Sequence, residues 1–449
     1  MARSQTIRSR RLAFASVGVG VGVVGILALL LALSPRVIPG PLAALAHAGE
    51  RSSPQASSSD PEPTAPEPTI RVRTARGVDA ITLQAGALLL ATPEGGDMTV
   101  VNSPAKVACA GGAITITDEK RSHTFPKGVG VAIRPADAGA FRLNGAETRT
   151  PVMLRPAARS ARQIDVIALV PMETYVAGVV VSEIFPDWEP AAFAAQAIAA
   201  RSYAMWRMAV AQREERVWDV ENTQADQVYR GVTTHPVALA QTAATRGLVL
   251  VDFRGVLPAF YSSTCGGRSA SALDTWPDRR FDLLGRPSLK ASLREFACES
   301  SSRFTWSLER SHEEIRIRLR ALASEDPAFA EFERMRGLSV VERNDANRPV
   351  RYAILDQKDR RLLIGAERLR EALNTPIEGL PDRDFRQRIL SGDLEMEPGP
   401  AGVTIRGRGF GHGVGMCQFC AQGMAKQGEE ARAMLERFYP GATLERKYR

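Results

Sequence analysis

Glu183 closes an apolar run, YVAGVVVSEIF, and is the residue best suited to proton transfer. Tyr175, Val179 and Glu183 fall on one helical stripe, and Phe185-Pro186-Asp187 ends the helix, so Glu183 is expected at its C-terminus. Carbonyl dipoles there disfavour a further negative charge. The neighbours Val179, Val180, Val181, Ile184, Phe185 and Trp188 predict a dry setting. Both effects raise a carboxyl pKa, as a general acid near neutral pH requires. The alternative is an exposed glutamate at a helix end. Arg201 lies within an alanine-rich, otherwise apolar helical run, PAAFAAQAIAARSYAMW. A guanidinium in such a place orients an acid or a sugar oxygen, or it makes a structural salt bridge.

The segment GRGFGHGVGMCQFCAQGMAKQG has a glycine at every second position from Gly407 to Gly415. That spacing lets backbone approach a bulky ligand or another chain segment closely, with His412 and Gln418 offering polar groups at the surface. It fits neither a phosphate-binding loop nor a dinucleotide fingerprint. A tightly packed glycine strand with an internally bonded histidine is the alternative. The five cysteines are Cys109, Cys265, Cys298, Cys417 and Cys420. In an oxidising compartment disulfides are the first expectation, with at least one thiol left over. Alternatively Cys265, Cys298, Cys417 and Cys420 supply four thiolates to a structural zinc. No other cofactor is implied. A thiol hydrolase built on Cys417 and His412 is a further option, but an exported CxxC is more often oxidised.

These residues must be positioned by a chain of 449 residues, 44% hydrophobic and 24% charged, with a formal charge of +8. The basic excess favours anionic surfaces or polymers, but no nucleic-acid module is recognisable. Residues 12–33 are uncharged, follow Arg3, Arg8, Arg10 and Arg11, and are long enough to span a bilayer. Residues 1–48 therefore read as a membrane anchor, or as a signal segment cleaved after Ala46-His47-Ala48. In either case the body of the protein is expected outside the cytoplasm. Residues 49–69 are rich in Pro, Ser and acid and predict a disordered tether.

Short β-like runs from Ile70 to Arg155 predict a β-rich N-terminal part. A strand at Ile164–Leu169 then leads, through Pro171, into a helix reaching about Ile184. A second, buried helix is predicted from Pro190. Glu173 is expected to serve the first helix's N-terminal dipole. Strands resume near Leu248 and Val256, and a helix broken at glycines runs from about Gln418 to Phe438. Residues 300–395 read as a charged, divergent insertion within a core of 156–449. The predicted fold is α+β, with β-rich parts surrounding a buried helical pair that carries the acid.

Four ordered segments resemble the sporulation stage II protein D / amidase-enhancer (SpoIID/LytB) family of bacterial cell-wall proteins. They are YVAGVVVSEIFPDWEPAAFAAQAIAARSYA, DVENTQADQVYRGV, AATRGLVLVDFRGVLPAFYSSTCGGRSASA and GRGFGHGVGMCQFCAQGMAKQG with RFYPGATL. The resemblance implies a peptidoglycan lytic transglycosylase acting on glycan strands, in some members strands stripped of stem peptides. It implies Glu183 as catalytic acid, with Arg201, Tyr261, Ser263, His412 and Gln418 binding the glycan. The alternative is a non-catalytic glycan-binding module that activates a cell-wall amidase. Glycan strands, such an amidase and the membrane are the expected partners. The loop WDVENTQADQVY has no Cys or His where some relatives carry metal ligands. Cys417 and Cys420 also depart from the family pattern. With Cys265 and Cys298 they suggest a disulfide pair or zinc site beside the groove.

Overall fold

The computed structural model describes residues 65–277, apart from 87 and 138, and residues 297–449. The expected membrane span, the candidate cleavage site and residues 49–64 of the tether lie outside them. Among the described residues no helix is long and apolar enough to cross a membrane.

Alternation of large apolar and small or polar residues builds the N-terminal half. The strand Ala105–Ala110, AKVACA, buries every second residue, and Ala113–Thr117 does the same. These strands belong to a six-stranded sheet that faces part of a seven-stranded sheet across a shared core of Ile81, Leu83, Val107, Ile133 and Leu154. The predicted β-rich part is built of strands, and in AKVACA small alanines mask the alternation. Thr69–Val78 pairs antiparallel with Ile164–Pro171 in the larger sheet, and the latter strand delivers the chain into the first helix.

That helix, α1 (Met172–Glu183), follows Pro171, whose fixed φ suits the residue before a first turn. It ends where Ile184 turns extended (φ −125°), just ahead of Pro186. The second helix, α2 (Pro190–Arg213), starts on Pro190 and is buried on nearly all sides. Phe193, Ala197, Ala200 and Ala204 pack with α1. Ile198, Ala199, Tyr203 and Trp206 face a second core, shared with Phe260, Met416 and Phe438. Alanine is frequent in α2 because two layers approach it closely. A third helix, α3 (Pro236–Ala244), packs across α1 and α2. The fold is α+β.

Two expectations are corrected here. The tether's last residues are docked, not free: Glu67 accepts from the Glu173 backbone N–H at 2.8 Å and pairs with Arg246 at 2.5 Å. Glu67 therefore supplies the negative charge at the α1 N-terminus that Glu173 was expected to supply. The stretch 300–395 is more than a charged insertion. Its helices His312–Arg320 and Ala366–Asn374 and its strands enclose their own core, including Ile315, Leu319, Phe332, Tyr352 and Leu369.

Candidate functional site

Glu183 is the last residue of α1, and the loop 219–231 lies across that helix to reach it. The crossing depends on Gly178: a Cβ there would stand 2.4 Å from the Gly231 carbonyl and 2.6 Å from the Tyr229 ring. The loop is held by buried side chains. Gln227 donates to the Ala200 carbonyl at 3.2 Å and to the Tyr261 hydroxyl at 2.9 Å, and accepts from Tyr175 at 3.1 Å. Asp226 accepts from Tyr203 at 2.8 Å and pairs with Arg207 at 2.8 Å. So fixed, the loop presents the Val228 N–H to Glu183 Oε1 at 3.2 Å.

Burial raises the Glu183 pKa, opposed by hydrogen bonds from Val228 N–H and the Gln418 side chain and by the nearby Arg230 charge. The residue keeps a partial opening to solvent. Its surroundings are only partly the dry wall expected. Val179, Val180 and Ile184 are buried, but Phe185 is 56% exposed. Phe185, Trp188 and Phe419 form an aromatic cluster, with Phe419–Trp188 and Phe185–Trp188 centroids 5.0 and 5.5 Å apart. This cluster joins the turn after Glu183 to the residue after Gln418.

Gln418 begins the helix Gln418–Lys426, and its amide also meets buried Gln196 at 3.3 Å. The C-terminal helix is broken at a glycine as expected: Gly428 takes a left-handed φ of +85° before the second helix, Ala431–Phe438. The parallel pairing of Tyr261–Ser262 with Met416–Cys417 sets Gln418 next to the strand that carries Tyr261. Tyr261 lies within electrostatic reach of Glu183, and burial with that negative charge pushes its hydroxyl pKa well up. Glu183, Gln418 and Tyr261 are thus brought together, with Gln227, Val228 and Arg230 from a loop to which no site residue was assigned. The signal for that loop was its place among the four ordered segments.

The alternating glycines serve the chain's own packing. Gly409 (φ +77°) would put a Cβ 2.5 Å from the Thr264 carbonyl, and Gly415 (φ +70°) one 2.1 Å from the Phe260 carbonyl. His412 stands behind Tyr261. Its Nδ1 accepts from Val414 N–H at 3.0 Å, its ring N–H bonds the Tyr261 backbone, and it packs against Trp276 at 4.9 Å. Burial lowers its pKa to about 4, with Glu367 opposing and Arg370 and Arg348 reinforcing the shift. Ser263 meets Thr264 Oγ1 at 3.3 Å, and its carbonyl accepts from Phe419 N–H at 3.1 Å.

Arg201 lies away from Glu183, inside the protein. It is fully buried, gives Nε and Nη2 to Glu173 at 3.0 and 2.6 Å, and spends further donors on the carbonyls of Leu248 and Thr242. Glu173 also accepts from Gly247 N–H at 3.1 Å and Tyr448 at 2.6 Å. The arginine expected at a sugar is therefore the centre of a structural network.

Cys265, Cys298, Cys417 and Cys420 come together from three parts of the chain as buried free thiols. Cys109 lies apart, in the strand Ala105–Ala110, with its thiol directed at the Ala161 carbonyl at 3.4 Å.

A family model described as stage II sporulation protein (SpoIID) matches residues 160–251, and a domain of unknown function matches 280–415. An uncharacterized protein of Brachyspira hyodysenteriae is 26% identical over 313 residues, covering 68% of this chain and 74% of the relative. Stage II sporulation protein D of Bacillus subtilis is 26% identical over 333 residues, covering 70% and 84%. The amidase enhancer of the same species is 22% identical over 297 residues, covering 60% of this chain but 40% of the relative. The SpoIID/LytB resemblance read from the motifs is borne out.

Proposed function

We propose that this SpoIID/LytB-family chain is a lytic transglycosylase that cleaves peptidoglycan glycan strands, with Glu183 as both acid and base. The observation that carries the reading is the setting of Glu183. Burial favours its protonated form, while Val228 N–H, Gln418 and Arg230 stabilise the carboxylate left after transfer; none of these is a second carboxylate. A reaction that borrows and returns one proton at one group needs that balance.

Protonated Glu183 gives its proton to the glycosidic oxygen as the C1–O bond breaks and an oxocarbenium-like centre develops. The sugar's own 6-hydroxyl then attacks C1, and the Glu183 carboxylate takes the hydroxyl proton. The products are a 1,6-anhydromuramic end and a free hydroxyl on the departing strand, with no water consumed. Phe185, Trp188 and Phe419 offer an apolar surface for a sugar face beside the reacting bond. Tyr261 and Gln418 border the acid, whereas His412 and Ser263 support the segments that carry them. In this reading the N-terminal segment anchors the chain to the cytoplasmic membrane. The catalytic body then works outside the cytoplasm, on strands whose stem peptides a cell-wall amidase has removed.

The relative named amidase enhancer favours a second reading, a glycan-binding module that activates such an amidase. Wild type and Glu183→Gln would be incubated with intact sacculi and with peptide-free glycan strands, and the products analysed by mass spectrometry. Anhydro-ended fragments from wild type alone are expected. Glycan binding by both proteins, with fragments from neither, would replace the enzyme with the activating module.

A further inference from the structure

The four clustered cysteines do not have the geometry of a disulfide pair. Cys265 Sγ lies 3.6 Å from Cys298 Sγ and 3.8 Å from Cys420 Sγ. All four sulfurs lie within 4.8 Å of one another. A bonded pair would stand about 2.05 Å apart. Four sulfurs about 2.3 Å from a central zinc are instead about 3.8 Å apart along each edge of a tetrahedron.

The backbone around the cluster is arranged for thiolates. Cys417 Sγ accepts from Cys265 N–H at 3.2 Å and from Cys420 N–H at 3.4 Å. The Gly267 N–H donates to the Cys298 sulfur. Neutral thiols are weak acceptors, whereas zinc-bound thiolates use such donors to disperse their charge. Two turns make this possible. Gly266 and Gly267 take left-handed φ of +67° and +84° directly after Cys265, and Cys417 caps the helix whose first turn carries Cys420. Buried Arg348 adds a positive charge, donating to the Cys265 carbonyl at 3.4 Å.

We propose that Cys265, Cys298, Cys417 and Cys420 form a closed tetrathiolate site for a structural zinc ion. Four coordinated thiolates leave no open position, so the ion has no part in the chemistry at Glu183. Binding releases the thiol protons to solvent. The ion staples the turn after Tyr261 to the first turn of the helix that begins with Gln418. It therefore fixes two of the groups that border the acid. Cys298 ties in the segment that follows it.

The test is metal analysis of the full-length chain, purified without chelator. The expected result is about one zinc per chain, lost in Cys298→Ser and Cys420→Ser and kept in Cys109→Ser. Cobalt substitution of wild type would give thiolate-to-metal charge-transfer and tetrahedral ligand-field bands. Because the serine variants could fail to fold, the intact mass of the wild type is measured as well. A mass lower by about two hydrogens per disulfide, or wild type without zinc after supplementation, would overturn the site. So would full zinc retention in Cys298→Ser. None of these readouts depends on glycan cleavage, so failure of the zinc site and failure of the enzyme reading are distinguishable.

Discussion

Arg201 and Glu173 form a two-point ion pair inside the protein, Nε to Oε1 at 3.0 Å and Nη2 to Oε2 at 2.6 Å, with the arginine side chain wholly removed from solvent. The pair clamps α1 to α2, and through Tyr448 and Gly247 it also gathers the C-terminus and the strand Leu248–Asp252. Its effect on the acid is indirect, through the placement of α1.

Arg201→Met should therefore destabilise the fold by about 3–5 kcal/mol, because Glu173 is left largely buried without its partner. Adding Glu173→Gln should recover part of that loss, as measured by denaturant unfolding of the single and double variants. A stable Arg201→Met protein with weakened glycan binding would return the arginine to the substrate.

Burial raises the Glu183 pKa, and Gln418 is one of the groups that oppose the rise. Its hydrogen bond favours the carboxylate, so Gln418→Leu should raise the Glu183 pKa further. In the enzyme reading, the alkaline limb of kcat/KM reports loss of the acid's proton, and that limb should move to higher pH in the variant. An unmoved limb would mean that the amide does not act on the working carboxyl.

His412 should make stability depend on acidity. Its ring is held neutral, with a pKa of about 4 against an ordinary 6.5, so the unfolded chain binds the proton more tightly. The contribution is complete above about pH 6.5 and is lost as pH falls through about 4. Wild type should lose about 1–3 kcal/mol more than His412→Asn between roughly pH 7 and pH 4.5. Parallel pH profiles of unfolding free energy for the two proteins would show that the ring is not insulated from solvent.

The sequence by itself determined the local elements and singled out Glu183 as the candidate acid. The stripe of Tyr175, Val179 and Glu183, the proline at the start of each of α1 and α2, and the alternation of the N-terminal strands are short-range patterns, legible without partners. The glycine spacing likewise announced a close approach of backbone. What it approached was decided only in three dimensions, where the strand at Tyr261–Ser262 and its flanks fill the space. The role of Arg201 was undecidable from its helix, since a buried guanidinium needs acceptors and either a sugar or Glu173 could supply them. Phe185 was misread because an apolar neighbour in sequence need not be a buried one. The insertion hid its core because Leu, Ile and Phe are spaced among charges and meet only after its strands pair. Cysteine partnership was the clearest case: three separate turns converge on one point, and that convergence is a property of the fold.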